Sequence, residues 1–360
     1  MENYLLNKAS GLELTNLPGK EIRIATEAPS NIALVKYWGK RQFQLPQNPS
    51  VSFSLTRSKT VMNIKYTYVN KRPGDFIKLF FDGTPKPSFA ERIQRYILYV
   101  EKFYPFLKHF TLEINTKNTF PHSSGIASSA SSMAALALNL CEFEKVLFGE
   151  NGETRKQFLK KASFFARLAS GSASRSVYKG FVIWGESEYV PQATDYYAVP
   201  LQENIHPGFL DIHDYILIAG QGTKSVSSSK GHALMEQHPY RNVRYEQAKR
   251  NTGRLLQSLH SGDWNGFAAT VEEEAMSIHA LMVNSPQPYT LMNNNTWNIV
   301  HKIRELRRQF HLKWTYTLDA GPNVHLLFPA TEKEKTEELL DEHIKQYCVE
   351  NQIIKDQINI

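Results

Sequence analysis

The chain has 360 residues, enough for one large domain or two ordinary ones. With 41% hydrophobic and 21% charged residues it falls in the folded globular class, and no segment reaches the roughly 18 consecutive apolar residues of a membrane span. The formal charge of +7 invites an anionic partner. Its basic residues alternate with acids, as in Arg304-Glu305-Leu306-Arg307, and form no dense stripe with stacking aromatics, so a phosphorylated small molecule fits better than a nucleic acid.

Residues 1–20 read as an irregular arm with Gly11, Pro18 and Gly19. Strand-like segments follow at Glu21–Thr26, Ile32–Tyr37, Val51–Leu55, Val61–Tyr68 and Phe76–Phe81, separated by turn formers such as Pro73-Gly74-Asp75. A helix is expected at Phe89–Phe103 and a strand at Phe110–Asn115. A Ser/Gly-rich turn then leads into an Ala/Leu-rich helix from Ala127 to Val146. A further helix, Arg155–Ala169, enters a second small-residue turn at Ser170–Ser174, and strands are expected at Phe181–Trp184 and Tyr196–Val199. A boundary at Glu203–Gly208 divides the chain into an amino-terminal domain of residues 1–205 and a carboxy-terminal domain of residues 206–360. Beyond it come a strand at Tyr215–Ala219, helices at Asn242–Leu259, Asp263–Val283 and Thr296–Phe310, strands at Lys313–Leu318 and Asn323–Phe328, and a helix at Glu332–Tyr347. Strands and helices without regular βαβ alternation predict an α+β fold. The two cysteines, Cys141 and Cys348, show neither metal-ligand spacing nor a disulfide framework, and the first residues lack the basic-then-apolar order of a secretion signal. A cytoplasmic enzyme is the expectation.

The strongest local chemistry lies at Pro121-His-Ser-Ser-Gly125-Ile-Ala127-Ser128-Ser129-Ala130, between a predicted strand and a predicted helix. Small residues let backbone N–H groups close on a phosphate, and the helix amino end adds positive potential. Neither a Walker loop nor a Rossmann fingerprint fits the spacing. Taken alone, the loop reads equally well as a serine cap on an Ala-rich helix.

Separated segments point the same way. Ala28-Pro-Ser-Asn31-Ile-Ala-Leu-Val-Lys36-Tyr37-Trp38-Gly39-Lys40-Arg41, followed by Leu45-Pro-Gln-Asn48-Pro-Ser50-Val-Ser52, resembles the opening motif of diphosphomevalonate decarboxylases. The loop at 121–130 resembles the phosphate loop of the wider superfamily that includes galactokinase, homoserine kinase and mevalonate kinase. Ser170-Gly171-Ser172-Ala173-Ser174-Arg175-Ser176 resembles the decarboxylase substrate loop, and Thr317-Leu318-Asp319-Ala320-Gly321-Pro322-Asn323 its acidic turn. The resemblance implies a GHMP-kinase fold, with a ribosomal-S5-domain-2-like amino-terminal domain, a ferredoxin-like carboxy-terminal domain and the active site in the cleft between them. It also implies ATP, Mg2+ and a homodimer. The implied reaction is phosphorylation of the 3-hydroxyl of mevalonate 5-diphosphate, then loss of phosphate and CO2 to give isopentenyl diphosphate.

By this resemblance Asp319 is the acid-base carboxylate, Arg175 orients the substrate carboxylate with its planar fork, and Lys36 brings positive charge to the 3-oxygen or the leaving phosphate. Tyr37, Lys40, Ser170, Gly171 and Ser172 match the diphosphate-binding positions, Asn31 orients a catalytic neighbour, and Gly125, Ala127, Ser128 and Ser129 hold ATP. Trp38 is read as core. The chain departs from its relatives at Ser227-Ser228-Ser229-Lys230-Gly231-His232, where an arginine that touches the diphosphate is replaced by Ser229 and a methionine by His232. The alternatives are a decarboxylase or 3-kinase acting on mevalonate 5-phosphate or on mevalonate.

Overall fold

The computed structural model describes residues 21–121, 128–150, 152–201, 205–221 and 226–360; the arm expected at 1–20 lies outside them. Two sheets organise the chain. The first has seven strands: β1 (Glu21–Ala33), β2 (Ser50–Tyr68), β3 (Ile77–Phe81), β4 (Thr84–Pro85), β5 (Phe110–Asn118), β6 (Phe181–Trp184) and β7 (Val199–Pro200). Their spatial order is β4-β3-β5-β2-β6-β7, with β1 paired to β2, and every pairing is antiparallel except β3 with β5. The second sheet has the order β11-β8-β10-β9, built from β8 (Ile212–Leu217), β9 (Thr315–Leu318), β10 (Val324–Pro329) and β11 (Ile353–Gln357), all antiparallel. The α+β expectation therefore holds.

Helices pack on these sheets: α1 (Pro87–Val100), α2 (Ser128–Phe148), α3 (Arg155–Ala169), α4 (Ser228–Leu234), α5 (Arg241–Ser261), α6 (Trp264–Val283), α7 (Asn294–Phe310) and α8 (Lys333–Leu339). The Ala-rich α2 is buried along most of its length, because small side chains such as Ala134, Ala135 and Ala137 let it lie close against β1. Thr26 Oγ1 donates to the Ala135 carbonyl at 2.9 Å, and Asn139 Nδ2 donates to the Ile24 carbonyl at 2.9 Å, which fixes the helix on the strand. Thr154 and Gln157 form a reciprocal capping box that starts α3.

Several elements differ from expectation. The segments Val51–Leu55 and Val61–Tyr68 are one strand, because the Asp356 carboxylate accepts the N–H groups of Thr56, Arg57 and Ser58 where the pattern breaks. The strand expected at Ile32–Tyr37 ends at Ala33: the N–H groups of Leu34 and Val35 both turn to the Val51 carbonyl, at 2.8 and 3.1 Å, and the chain leaves the sheet at Lys36. The short α4 and the closing strand β11 had no clear periodic signal. The helix expected at Glu332–Tyr347 breaks after α8 into a π turn at Leu340–Ile344 and a 3-10 turn at Lys345–Tyr347.

One core lies between the first sheet and α1–α3, and another between the second sheet and α7. A third joins the halves, with Ile32, Val51 and Phe53 from the amino-terminal segment packed with Ile212, Ile216, Leu255, Phe267 and Ile358. Burying each such side chain contributes about 1.5–3 kcal/mol, so this shared core sets the two sheets in a fixed relation. Among the described residues no helix is long and apolar enough to cross a membrane.

Candidate active site

A cavity of about 350 Å³ opens where the two halves meet. Its walls include Lys36, Arg175 and Asp319, which are far apart in sequence, together with Asn31, Tyr37, Lys40, Ser129, Ser170, Gly171 and Ser172. Ser128 begins α2 beside Ser129. Gly125 and Ala127 lie outside the described residues.

Lys36 leaves β1 at the bend described above, and its main chain is held from both sides. Its carbonyl accepts from Asn48 Nδ2 at 3.0 Å, and its N–H donates to Glu274 Oε2 at 2.9 Å. Its side chain is 3% exposed, and Nζ donates to Asp319 Oδ1 at 2.9 Å. Asp319 follows β9 in a turn closed by the Gly321 N–H, which donates to the Asp319 carbonyl at 2.7 Å. That carbonyl also accepts from His279 Nε2 at 3.2 Å.

Arg175 lies in the 3-10 turn Gly171–Val177 and is buried. Its Nε donates to Ser52 Oγ at 3.0 Å and to Asn31 Oδ1 at 3.3 Å, and Asn31 is itself locked by donating to Ser176 Oγ at 2.7 Å. Arg175 Nη1 is buried with no hydrogen-bond partner among the described residues. Burial pushes the guanidinium down to about 10, partly offset by the opposing charge of Asp319, so it remains charged at neutral pH. A buried cation with an unsatisfied fork end suits a carboxylate or a phosphate oxygen.

Tyr37 lies nearby, its ring 4.8 Å from that of Trp184, over which the Arg175 guanidinium also sits at 5.8 Å, and 4.4 Å from that of His232. Burial raises the Tyr37 phenol above its ordinary range, keeping it a neutral donor. Gly171 is required here, because a Cβ would sit 2.7 Å from the Trp184 ring and 2.9 Å from the Tyr37 hydroxyl. Lys40 donates to Gln44 Oε1 at 3.1 Å, and burial with nearby Arg92 lowers its ammonium below the ordinary value. Trp38 is buried, as expected of a core residue, but also lines the cavity.

Sequence reasoning missed Arg92, which reaches the cavity from the flank of α1 beside the apolar face of Ile93, Tyr96 and Ile97. No local motif marks it. Gln44 was missed too; it and Phe43 hold left-handed backbone with φ of 62° and 56°, and the buried Arg167 donates to the Phe43 carbonyl. Ser227, Ser228, Ser229 and His232 all line the cavity, so the departing segment faces the site. His232 Nδ1 accepts from the Gly39 N–H at 3.0 Å, which places the ring proton on Nε2. Burial pushes this imidazole down to about 3, so it stays neutral.

The described lining thus carries four cations, Lys36, Lys40, Arg92 and Arg175, against one carboxylate, Asp319. Such a wall concentrates a polyanion at a point where a hydroxyl can meet a carboxylate. Among the described residues no group of three or more His, Cys, Asp or Glu side chains could cage a metal. Ser128 opens α2, and Ser129 and Asp319 line the same cavity, oxygen donors that suit magnesium held mainly by phosphate oxygens.

Comparison with known proteins gives the family and the fold. The family model "Diphosphomevalonate decarboxylase-like N-terminal domain" matches residues 28–197, and "Mevalonate 5-diphosphate decarboxylase C-terminal domain" matches residues 215–359. The diphosphomevalonate decarboxylase of Ganoderma lucidum is 28% identical over 89% of this chain and 81% of its own. The human diphosphomevalonate decarboxylase is 25% identical over 83% of this chain and 74% of its own. The crystal structure of mevalonate diphosphate decarboxylase from Staphylococcus aureus superposes with a TM-score of 0.79 at 26% identity, covering 94% of this chain and 96% of that one. A complex of MDDEF with MVAPP, AMPPCP and magnesium has the same fold, with a TM-score of 0.79 at 22% identity over 94% of this chain and 98% of that one. The architecture is the GHMP-kinase fold, and the chain belongs to the diphosphomevalonate decarboxylase family.

Proposed function

We propose that the chain uses ATP to convert mevalonate 5-diphosphate into isopentenyl diphosphate, with phosphate and CO2 released, a reading supported by relatives named diphosphomevalonate decarboxylase and by the family resemblance. The observation that carries this reading is the meeting of the Lys36–Asp319 pair with the unsatisfied fork of Arg175 in one cavity. Asp319 accepts the proton of the tertiary 3-hydroxyl as its oxygen attacks the γ-phosphoryl group. Lys36 orients that carboxylate and brings a positive charge beside the developing alkoxide. In the second step the C–O bond to the new phosphate breaks and the C–C bond to the carboxylate follows, its electron pair forming the double bond. Arg175 holds the carboxylate in the torsion this cleavage needs; binding it too tightly would stabilise the ground state.

Tyr37, Lys40, Ser170, Gly171, Ser172 and Arg92 form the cradle for the diphosphate, and Gly125, Ala127, Ser128 and Ser129 the loop for ATP. The replacement of the relatives' arginine by Ser229 leaves Lys40 and Arg92 as the cations of that cradle. Magnesium, when bound, neutralises charge on the β- and γ-phosphates, with Ser128, Ser129 and Asp319 as the protein oxygens that would meet it. The boundary at 205/206, read from the polar break around Pro207, and a cytoplasmic location, read from the cysteine usage, belong to the same reading, and the homodimer rests on the family resemblance. The test is a coupled assay of ADP and CO2 release over mevalonate, its 5-phosphate and its 5-diphosphate. Equal ADP and CO2 from the 5-diphosphate alone supports the reading. ADP without CO2 assigns a 3-kinase instead.

A further inference from the structure

The Lys36–Asp319 pair draws one member from each half of the chain, so some element must set their relation. Helix α6 touches both. Glu274, on its inner face, is fully buried at 0% exposure, and its Oε2 accepts the Lys36 N–H at 2.9 Å. His279, five positions further on, donates to the Asp319 carbonyl at 3.2 Å. Five residues of α-helix rise about 7.5 Å, so the two contacts fall on a single rigid bar.

Glu274 is an expensive residue to bury, and its surroundings show what it is built to hold. Arg244, 2% exposed on α5, grips both carboxylate oxygens, and Asn251 Nδ2 donates to Oε1 at 2.8 Å. A buried ion pair is weak ground for stability, since well-packed apolar residues of similar volume often serve as well or better. The property that an apolar replacement cannot supply is the acceptor for Lys36.

We propose that Glu274 is a positioning residue for catalysis: braced by Arg244 and Asn251, it fixes the main chain of Lys36 and so the placement of the ammonium against Asp319. It touches no substrate atom and acts only through Lys36. This inference rests on the decarboxylase reading above.

The experiment separates the acceptor from the ion pair. In Glu274→Gln one amide oxygen replaces two acceptors: the amide NH2 is set either against the Lys36 N–H and Arg244 Nη2 or against Arg244 Nη1 and Asn251 Nδ2, donor against donor in both orientations, so the hold on Lys36 is lost or strained. Turnover should fall by about 100-fold, the cost of an ångström-scale misplacement, with KM for both substrates within about threefold. Adding Arg244→Met releases the amide oxygen to Lys36 and should restore turnover to within about fivefold of the wild type. Glu274→Leu with Arg244→Met keeps the core apolar and folded but offers no acceptor, and should stay as slow as Glu274→Gln. Circular dichroism and thermal denaturation on each variant report folding. Wild-type turnover in the Leu/Met protein, or failure of the Gln/Met protein to recover while folded, overturns the inference. Should the Leu/Met protein not fold, the comparison of Glu274→Gln with its Arg244→Met partner decides alone. Absence of CO2 release from the wild type in the same assay would instead overturn the decarboxylase reading.

Discussion

Replacing Asp319 by asparagine keeps the shape of the acidic turn while removing the proton acceptor and the negative charge. Two consequences can be weighed separately. The loss of a positioned base costs between about 100-fold and 10,000-fold in turnover. The Lys36 side chain, 3% exposed, is left as a buried ammonium without its 2.9 Å counter-ion. Breaking a wholly buried pair costs about 3–5 kcal/mol, and because Asp319 is 24% exposed, water offsets part of this, leaving roughly 1–3 kcal/mol. The assay is steady-state ADP and CO2 release alongside thermal denaturation, for Asp319→Asn, for Lys36→Met and for the two combined. Asp319→Asn should lose both turnover and stability, with KM nearly unchanged. The double variant should regain the stability, since the stranded ammonium is gone, while turnover falls by no more than about threefold further, because the two side chains act as one unit. Turnover within tenfold of the wild type in Asp319→Asn would refute the acid-base role, and fully additive losses in the double variant would refute the coupling.

Arg175→Lys replaces a fork by a point charge that cannot serve Ser52, Asn31 and a carboxylate together. Phosphoryl transfer should survive better than carbon–carbon cleavage, so ADP release should exceed CO2 release; equal loss of both would contradict the orienting role. Gly171→Ala places a methyl group against Trp184 and the Tyr37 hydroxyl. It should raise KM for the phosphorylated substrate about tenfold and cost about 1–3 kcal/mol in urea denaturation, whereas an unchanged KM would show that Tyr37 is not part of the cradle. Burial holds His232 down to about 3 and His279 down to about 4, below the ordinary value of 6.5. Both are neutral when folded, and the unfolded chain takes up their protons below about pH 6.5, so their contribution is complete above that pH and is lost as the pH falls toward 4. Together the two should cost about 3–4 kcal/mol between pH 7 and pH 5, opposed in part by His325, where burial lowers the imidazole but pairing with Asp214 raises it further, and a urea midpoint that does not fall at pH 5 would contradict this.

Much of this protein is written locally. The lysine-tyrosine-tryptophan-glycine-lysine string, the small-residue turn ending in Arg175 and the acidic turn at Asp319 carry their chemistry within short stretches, because a backbone that must turn tightly or approach a phosphate dictates its own residues. Amphipathic helices such as α1 and α7 likewise show their buried stripe in the spacing of Ile93, Tyr96 and Ile97, or of Ile299, Val300 and Ile303. What only the tertiary structure decides is what distant segments do to one another. The single strand β2 is continuous because Asp356, some 300 positions away, accepts its stray N–H groups. Arg92 and Gln44 carry no mark in the sequence and become cavity wall only when α1 and the loop after Lys40 converge. Glu274 is one of three consecutive glutamates with nothing in the local pattern to set it apart, yet it is fully buried and receives the main chain of Lys36. Local sequence sets backbone preference and hydrophobic period over a few residues, whereas partners for buried charge are chosen by packing across the chain.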